Sequence, residues 1–437
     1  MSKNTRDEII AADKRYVWHP YTEMGSYIRD YEPLVIVRAQ GSRLFDEDGR
    51  SYLDSSSSWW LASLGHGHPR LVSALKEQAE ELAHCALAGI THPQAAFLAK
   101  ELIEVAPPGL SRVFFSDNGS TAVEAAIKMA TQFHAQNGEP KRKRFIALEG
   151  AFHGETVGVS SLGGVEVFRK PFAGLLFDCI HVPSPADANA YEQAFEALTR
   201  AVENGADEIA AVVLEPLVQG ASGMRMYEAD YLRHARKLCD EHGILLVLDE
   251  VFTGYGRTGR MWAADHAGIR PDLLCTAKGF SGGMLPMAAT LVTERIFEGF
   301  LGDKSRAFYY GHSYTGNPLG AAVAREVLRV YRDEKVLEGI APRARRIEEA
   351  FERMGRLPKV LRTRTLGMIG ALDLDESGGY LASIGWQVAD EARKRGVYLR
   401  PLGNVVYVTP PLNITEGDLD ELLGKVEEAV EVGVSQA

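Results

Sequence analysis

Between about residues 110 and 295 short apolar runs alternate with stretches of helical periodicity. Arg112 to Ser116, Phe145 to Leu148, Glu208 to Leu214, Ile244 to Leu248 and Leu273 to Cys275 read as strands, Ala122 to Phe133 and Tyr231 to His242 as helices. A run such as Ile244 to Leu248, apolar at every position, is what a strand covered on both faces shows. The alternation predicts an open, mostly parallel α/β sheet covered by helices, with its ligand loops on one edge. Nearer the N-terminus, Leu34 to Val37, Ser42 to Phe45 and Ser51 to Asp54 read as short strands, with a hairpin turn over Asp46 to Arg50. Leu71 to Ala83 and Ala95 to Val105 read as helices. After Pro318 the pattern becomes more charged. Leu319 to Val330, Glu338 to Met354, Trp386 to Arg395 and Asp418 to Val432 predict helices, Val360 to Asp373 and Val397 to Pro401 strands, together a smaller α+β domain. The expected division is 1–62 as an N-terminal segment of the small domain, 63–330 as the large domain and 331–437 as the rest of the small one.

The loops between these elements hold the candidate chemistry. Lys278 follows a buried strand and precedes glycines, where α/β folds keep their ligands; a desolvated amine there is a nucleophile or base, while the plain alternative is a lysine snorkelling at a strand edge. Asp249 and Glu250 end the Ile244 to Leu248 run, and buried acids need a partner, such as a cationic ring nitrogen. Gly119-Ser120-Thr121 at a helix start offers unpaired N–H groups, the positive end of the helix dipole and hydroxyls to a phosphate, or is simply a cap. Phe152 and His153 lie in a loop after a strand, as do Glu215 and Gln219. The segment Trp18 to Thr22 is either a core staple or a pocket wall. Trp59 and Trp60 cannot both face one core from a strand, because neighbours point to opposite sides; at least one should face a cavity or an interface. His66 and His68 lack a third ligand nearby, and Pro69 marks a helix start, so no metal site is expected.

Composition narrows the class. The chain of 437 residues has a formal net charge of -11, which disfavours a nucleic-acid partner or an anionic membrane surface. Its scattered cysteines show no zinc or disulfide spacing and fit a reducing compartment. The N-terminus is polar, with no signal-peptide core, and no apolar run approaches the roughly 20 residues that span a bilayer, so a cytoplasmic protein is expected.

Taken together, Leu248-Asp249-Glu250-Val251, Arg257-Thr258-Gly259, Ala277-Lys278-Gly279 and the Gly119-Ser120-Thr121 turn resemble the class III aminotransferases of the fold-type I pyridoxal-phosphate enzymes. The resemblance implies that Lys278 carries pyridoxal 5′-phosphate covalently and shuttles the proton, and that Asp249 pairs with the ring nitrogen. It implies Phe152 and Val251 on the two ring faces and Gly119 and Ser120 on the phosphate. His312 and Ser313 would reach the phosphate from the second subunit of a homodimer. Glu215 and Gln219 would support the site from behind. The partners implied are a small-molecule amino donor and keto acceptor.

Within the class, Trp18 to Thr22, Ser57-Ser58-Trp59-Trp60, Gly65 to Pro69, Val218 to Ala221 and Leu399-Arg400-Pro401 with Tyr407 resemble the branch that aminates 8-amino-7-oxononanoate in biotin synthesis. An acceptor with a long apolar chain and a terminal carboxylate needs an aromatic tunnel and an arginine. Tyr21, Trp59 and Trp60 would be the walls, Arg400 the bidentate clamp, with Phe152, Gly311 and Tyr407 beside them. Phe152 stands where members using S-adenosylmethionine usually carry tyrosine, and Gly311-His312-Ser313 where they carry Gly-Pro-Thr. The expected donor is S-adenosylmethionine, with lysine as the alternative these two departures leave open, and a general ω-amine aminotransferase is the further alternative.

Overall fold

The computed structural model describes residues 5–377 and 379–436. Its centre is a seven-stranded sheet, built in chain order from β1 (Leu110–Ser116), β2 (Arg144–Leu148), β3 (Ile180–Val182), β4 (Ile209–Leu214), β5 (Leu245–Asp249), β6 (Leu273–Thr276) and β7 (Ala288–Thr293). The spatial order is β1-β7-β6-β5-β4-β2-β3. Only β7 runs against its neighbours, pairing antiparallel with both β6 and β1. β4, β5 and β6 are buried at every position, as their unbroken apolar sequences require. The fold is the α/β architecture the alternation predicts. Two strands escaped that reading: β3, only three residues long, and β7, whose Ala-Ala-Thr-Leu-Val-Thr sequence follows the glycines of the Lys278 loop without a helix between.

Sheet register brings the chemistry to one edge. β5 and β6 are parallel, with Leu248 opposite Leu274 and Asp249 opposite Cys275, so the last residue of β5 and the loop after β6 emerge side by side. The helix that follows β1, α1 (Gly119–Gln136), begins at the same edge, and Ala122, Val123, Ala126 and Ala130 bury its inner face. A Cβ on Gly119 would lie 2.7 Å from Cγ1 of Val251, so glycine is what lets the helix start approach the end of β5.

The N-terminal and C-terminal parts of the chain share a second region. Strand Ser51–Asp54 pairs in parallel with Val397–Tyr398, joining a sheet that also holds Ile36–Gln40 and Arg43–Asp46. A separate sheet of Val360–Leu366, Ile369–Leu374 and Val405–Val408 packs with helices Ile340–Met354 and Ile384–Lys394 nearby. Arg257, in the loop after β5, fastens this region to the large sheet: it is buried and donates to the carbonyls of Pro410 (2.7 Å) and Met368 (3.4 Å). Met368 N–H returns a bond to Arg257 O (2.9 Å). No carboxylate pairs with this guanidinium among the described residues, and burial lowers its pKa to about 10.

Arg257→Ala should strip those buried carbonyls of their donor and lower stability by about 2–3 kcal/mol, read as a fall in thermal midpoint. Arg257→Lys should recover part of it. An unchanged midpoint in Arg257→Ala would remove the staple from the account.

Candidate active site

A cavity of about 580 Å³ opens at the edge where β5, β6 and α1 meet. Lys278 lies on its wall. The residue has φ +47°, a left-handed conformation unfavourable for any side chain but glycine, and it follows β6 at the start of a tight turn over Lys278–Ser281. Its Nζ forms no ion pair or hydrogen bond among the described residues and sits 4.6 Å above the Trp60 ring and 5.7 Å from that of Phe252. Burial is the main influence on this amine and lowers its pKa to about 8, with the charges of Asp249 and Glu215 pulling part of the way back.

Asp249 also lines the cavity and is oriented from two sides. His153 donates from Nδ1 to Oδ2 (2.7 Å), and Val251 N–H donates to Oδ1 (3.1 Å). Burial pulls the imidazole of His153 down, but the hydrogen bond and charge of Asp249, with the charge of Glu215, outweigh it and leave its pKa raised. Asp249 is thus an acceptor oriented by His153 and the Val251 amide, and it lines the cavity. Behind it, Glu215 accepts from Phe152 N–H (2.9 Å) and Gly220 N–H (3.0 Å), and burial pushes its carboxyl up to about 7. Gln219 is directed elsewhere, to Ser184 and the carbonyl of Glu149, and does not line the cavity.

The start of α1 faces the same space. Asn118 and Thr121 form a reciprocal capping box, and Thr121 Oγ1 also donates to Asp117 Oδ1 (2.8 Å), so that hydroxyl is committed to the turn. Gly119 and Ser120 N–H have no acceptor among the described residues. Ser120 Oγ accepts from Glu155 N–H (3.1 Å), which leaves its own proton to donate. Two amides, a hydroxyl and the helix dipole converge on an anion site. Phe152 and Val251 line the cavity as well.

The outer wall is aromatic. Ser57, Ser58, Trp59 and Trp60 have φ of +50°, +47°, +68° and +75°. They form a turn of left-handed helix, closed by Trp60 N–H to Ser56 O (2.7 Å) and Leu61 N–H to Ser57 O (3.0 Å). This conformation costs L-residues about 1–2 kcal/mol each. It replaces the extended geometry considered from sequence, and its consequence is that both tryptophans line the cavity. Trp60 packs on Phe252 (4.7 Å between ring centroids) and donates from Nε1 to Tyr407 Oη (3.2 Å). Trp59 meets the edge of Tyr21 (5.4 Å), whose hydroxyl donates to Glu155 Oε1 (2.8 Å).

Arg400 lines the cavity with its guanidinium 4.8 Å from the Trp59 ring and 5.7 Å from that of Trp386, and no carboxylate pairs with it among the described residues. The sequence pattern does not single out Phe168, which contacts Phe152 (5.7 Å), Tyr21 (5.6 Å) and Tyr380 (5.0 Å), nor Tyr380, Trp386 or the bond from His153 to Asp249 as parts of the site. Phe168 lies in a four-residue helix, Glu166–Arg169, too short to show a period. His66 and His68 are engaged with Asp54 (2.8 Å) and Glu334 (3.4 Å) respectively. Gly311, His312 and Ser313 do not line this chain's cavity; His312 Nε2 lies 3.6 Å from Asp117 Oδ1.

A desolvated unpaired amine, a backed carboxylate and an anion cradle on one cavity are what a phosphorylated aldehyde cofactor with a basic ring requires. The sequence profile of the family described as Aminotransferase class-III matches residues 26–430, and the chain belongs to that family of pyridoxal-phosphate enzymes. The chain is 40% identical to the adenosylmethionine-8-amino-7-oxononanoate aminotransferase of Geobacter sulfurreducens, over 96% of each sequence. It superposes with a TM-score of 0.94 on the crystal structure of the enzyme of that name from Methanocaldococcus jannaschii, at 36% identity, covering 98% of this chain and 99% of that one. An amine transaminase from an uncultivated Pseudomonas species, solved in its PLP-bound form, gives 0.90 at 34% identity, covering 95% and 98%.

In the cofactor-free protein, trinitrobenzenesulfonate labelling of Lys278 followed by peptide mass mapping should reach half-maximum near pH 8, because the neutral amine is the reactive form. A half-maximum near the ordinary 10.5 would show the amine to be hydrated.

Proposed function

We propose that this transaminase moves an amino group from S-adenosylmethionine to the ketone of 8-amino-7-oxononanoate, giving 7,8-diaminononanoate for biotin synthesis. The observation that carries the reading is Arg400: a guanidinium stacked on tryptophan, without a carboxylate partner among the described residues, on the wall of the same cavity that Lys278 lines. It suits a linear substrate with a carboxylate at one terminus, held bidentately, and an apolar chain between. Trp59, Trp60, Tyr21 and Phe168 then cover that chain and exclude water. The same donor and acceptor appear in the names of enzymes that the chain resembles over nearly its whole length.

Bound pyridoxal phosphate supplies a carbonyl carbon that exchanges amines and a cationic ring that draws electrons from the adjoining carbon. Lys278 holds the cofactor, and its lowered pKa lets Nζ take a proton from the substrate carbon and return it near neutral pH. Asp249 would accept from the ring N–H, and His153 and the Val251 amide orient its carboxylate. Gly119 and Ser120 would hold the phosphate through N–H and hydroxyl donors, and Phe152 and Val251 would offer apolar contact to the ring.

The reading includes a homodimer in which Gly311, His312 and Ser313 complete the partner's site. Supporting it, this loop leaves its own cavity, and its Tyr309 and Tyr314 are 80% and 64% exposed. An apolar groove of about 720 Å³, lined by Val113, Phe114, Phe297, Phe300, Leu301 and Phe308, offers a surface for a second copy. Sedimentation should give twice the chain mass, and a monomer with full activity would sink this part.

Lys278→Ala should abolish turnover; full multiple-turnover activity would overturn the assignment of the amine. Arg400→Ala should lower kcat/KM for the carboxylated acceptor by the equivalent of about 2–5 kcal/mol, mainly through KM. Incubation of the holoenzyme with 8-amino-7-oxononanoate and either S-adenosylmethionine or lysine, read by mass spectrometry, should give the diamine with the first donor. Product with lysine alone would reassign the donor, and none with either would defeat the acceptor.

A further inference from the structure

The left-handed turn of Ser57 to Trp60 contains no glycine, so its backbone relaxes unless groups outside it hold it. The structure shows what those groups are. Ser58 Oγ donates to Oδ2 of Asp54 (2.7 Å), and His66 Nε2 donates to the same oxygen (2.8 Å). Ser56 N–H reaches Asp54 Oδ1 (3.3 Å), and Ser57 Oγ donates to Thr409 O (2.7 Å). Asp54 is 1% exposed, so its carboxylate has these donors in place of water. Asp54, Ser58 and His66 are absent from the cavity wall and have no part in the chemistry above.

The handedness of the turn decides where the tryptophans point. In an extended segment adjacent side chains diverge to opposite sides, and one of the two rings would leave the cavity. Here both face it, with Trp59 against Arg400 and Trp60 beneath Lys278. We infer that the Asp54 carboxylate, gripped by His66 and Ser58, is the lock that keeps this turn left-handed and so positions Trp59 and Trp60 as the selective wall of the site. Asp54, His66 and Ser58 are positioning residues that act through the two rings. The link to substrate choice rests on the proposed acceptor; the link to ring placement does not.

The test uses the holoenzyme in a Trp18→Phe/Trp386→Phe background, leaving Trp59, Trp60 and the buried Trp262 as fluorophores. Asp54→Asn and, separately, Ser58→Ala should raise acrylamide quenching about two- to fivefold as a ring swings toward water. Asp54→Asn/Ser58→Gly should recover much of that change, since glycine takes positive φ without a lock. In parallel, KM for 8-amino-7-oxononanoate should rise about tenfold in Asp54→Asn while kcat falls less than about twofold. A lowered thermal midpoint with quenching and KM as in the parent would mean a merely structural cluster and overturns the inference. Trp59→Ala separates the two readings. If it raises KM and Asp54→Asn does not, the lock fails alone; if it leaves KM unchanged, the wall assignment fails and quenching alone decides the lock.

Discussion

An amine taken out of water beside two carboxylates it does not touch is the constraint around which this molecule is built. A direct ion pair would hold Lys278 protonated and inert. Distance from Asp249 keeps the attraction weak enough for burial to prevail, and the carboxylate is occupied instead by His153 and the Val251 amide. That separation is a property of the sheet. Because Asp249 is the last residue of β5, opposite Cys275, while Lys278 lies beyond the end of β6, the backbone sets the two groups apart before any side chain chooses a rotamer. The left-handed φ of Lys278 then turns its side chain under the Trp60 ring, whose face supplies a soft electrostatic contact rather than a counterion.

A second charge on the cavity wall is treated the same way. Arg400 is flanked by aromatic faces and spared a carboxylate. The amine and the guanidinium thus line one cavity, each against the face of one of two adjacent indoles and each without a carboxylate partner among the described residues. Glu155, which accepts from the Tyr21 hydroxyl, lines the same cavity, and burial raises its pKa.

The central strands were legible because doubly covered parallel strands write themselves as unbroken apolar runs, whereas Lys278, whose spacing alone also suits a snorkelling lysine, stood out only through the motif set it forms with Asp249. β7 was not, since its small residues mimic a loop and no helix separates it from β6. The bond from His153 to Asp249 spans distant loops, each of which alone resembles a cap. The Trp59 and Trp60 turn was hidden for a different reason: positive φ is read from glycine or asparagine, and a Ser-Ser-Trp-Trp sequence adopts it only because Asp54, His66 and Thr409 surround it. Arg400 could be suspected from its motif, yet its want of a partner is a fact of three dimensions.

The pairing of Ser51–Asp54 with Val397–Tyr398 carries a consequence for how the protein is made. Ser55 and Ser57 are tied to Tyr398 and Thr409, contacts between residues 343 and 352 positions apart, while the strands that set Lys278 and Asp249 lie close together in sequence. Loop closure over such a span is slow, and domains emerge from the ribosome N-terminus first. The cofactor half can therefore assemble while the chain is still being synthesised. The turn of Ser57 to Trp60 gains its bond to Thr409 only once most of the chain has been added, whereas its ties to Asp54 and His66 are local and can form early.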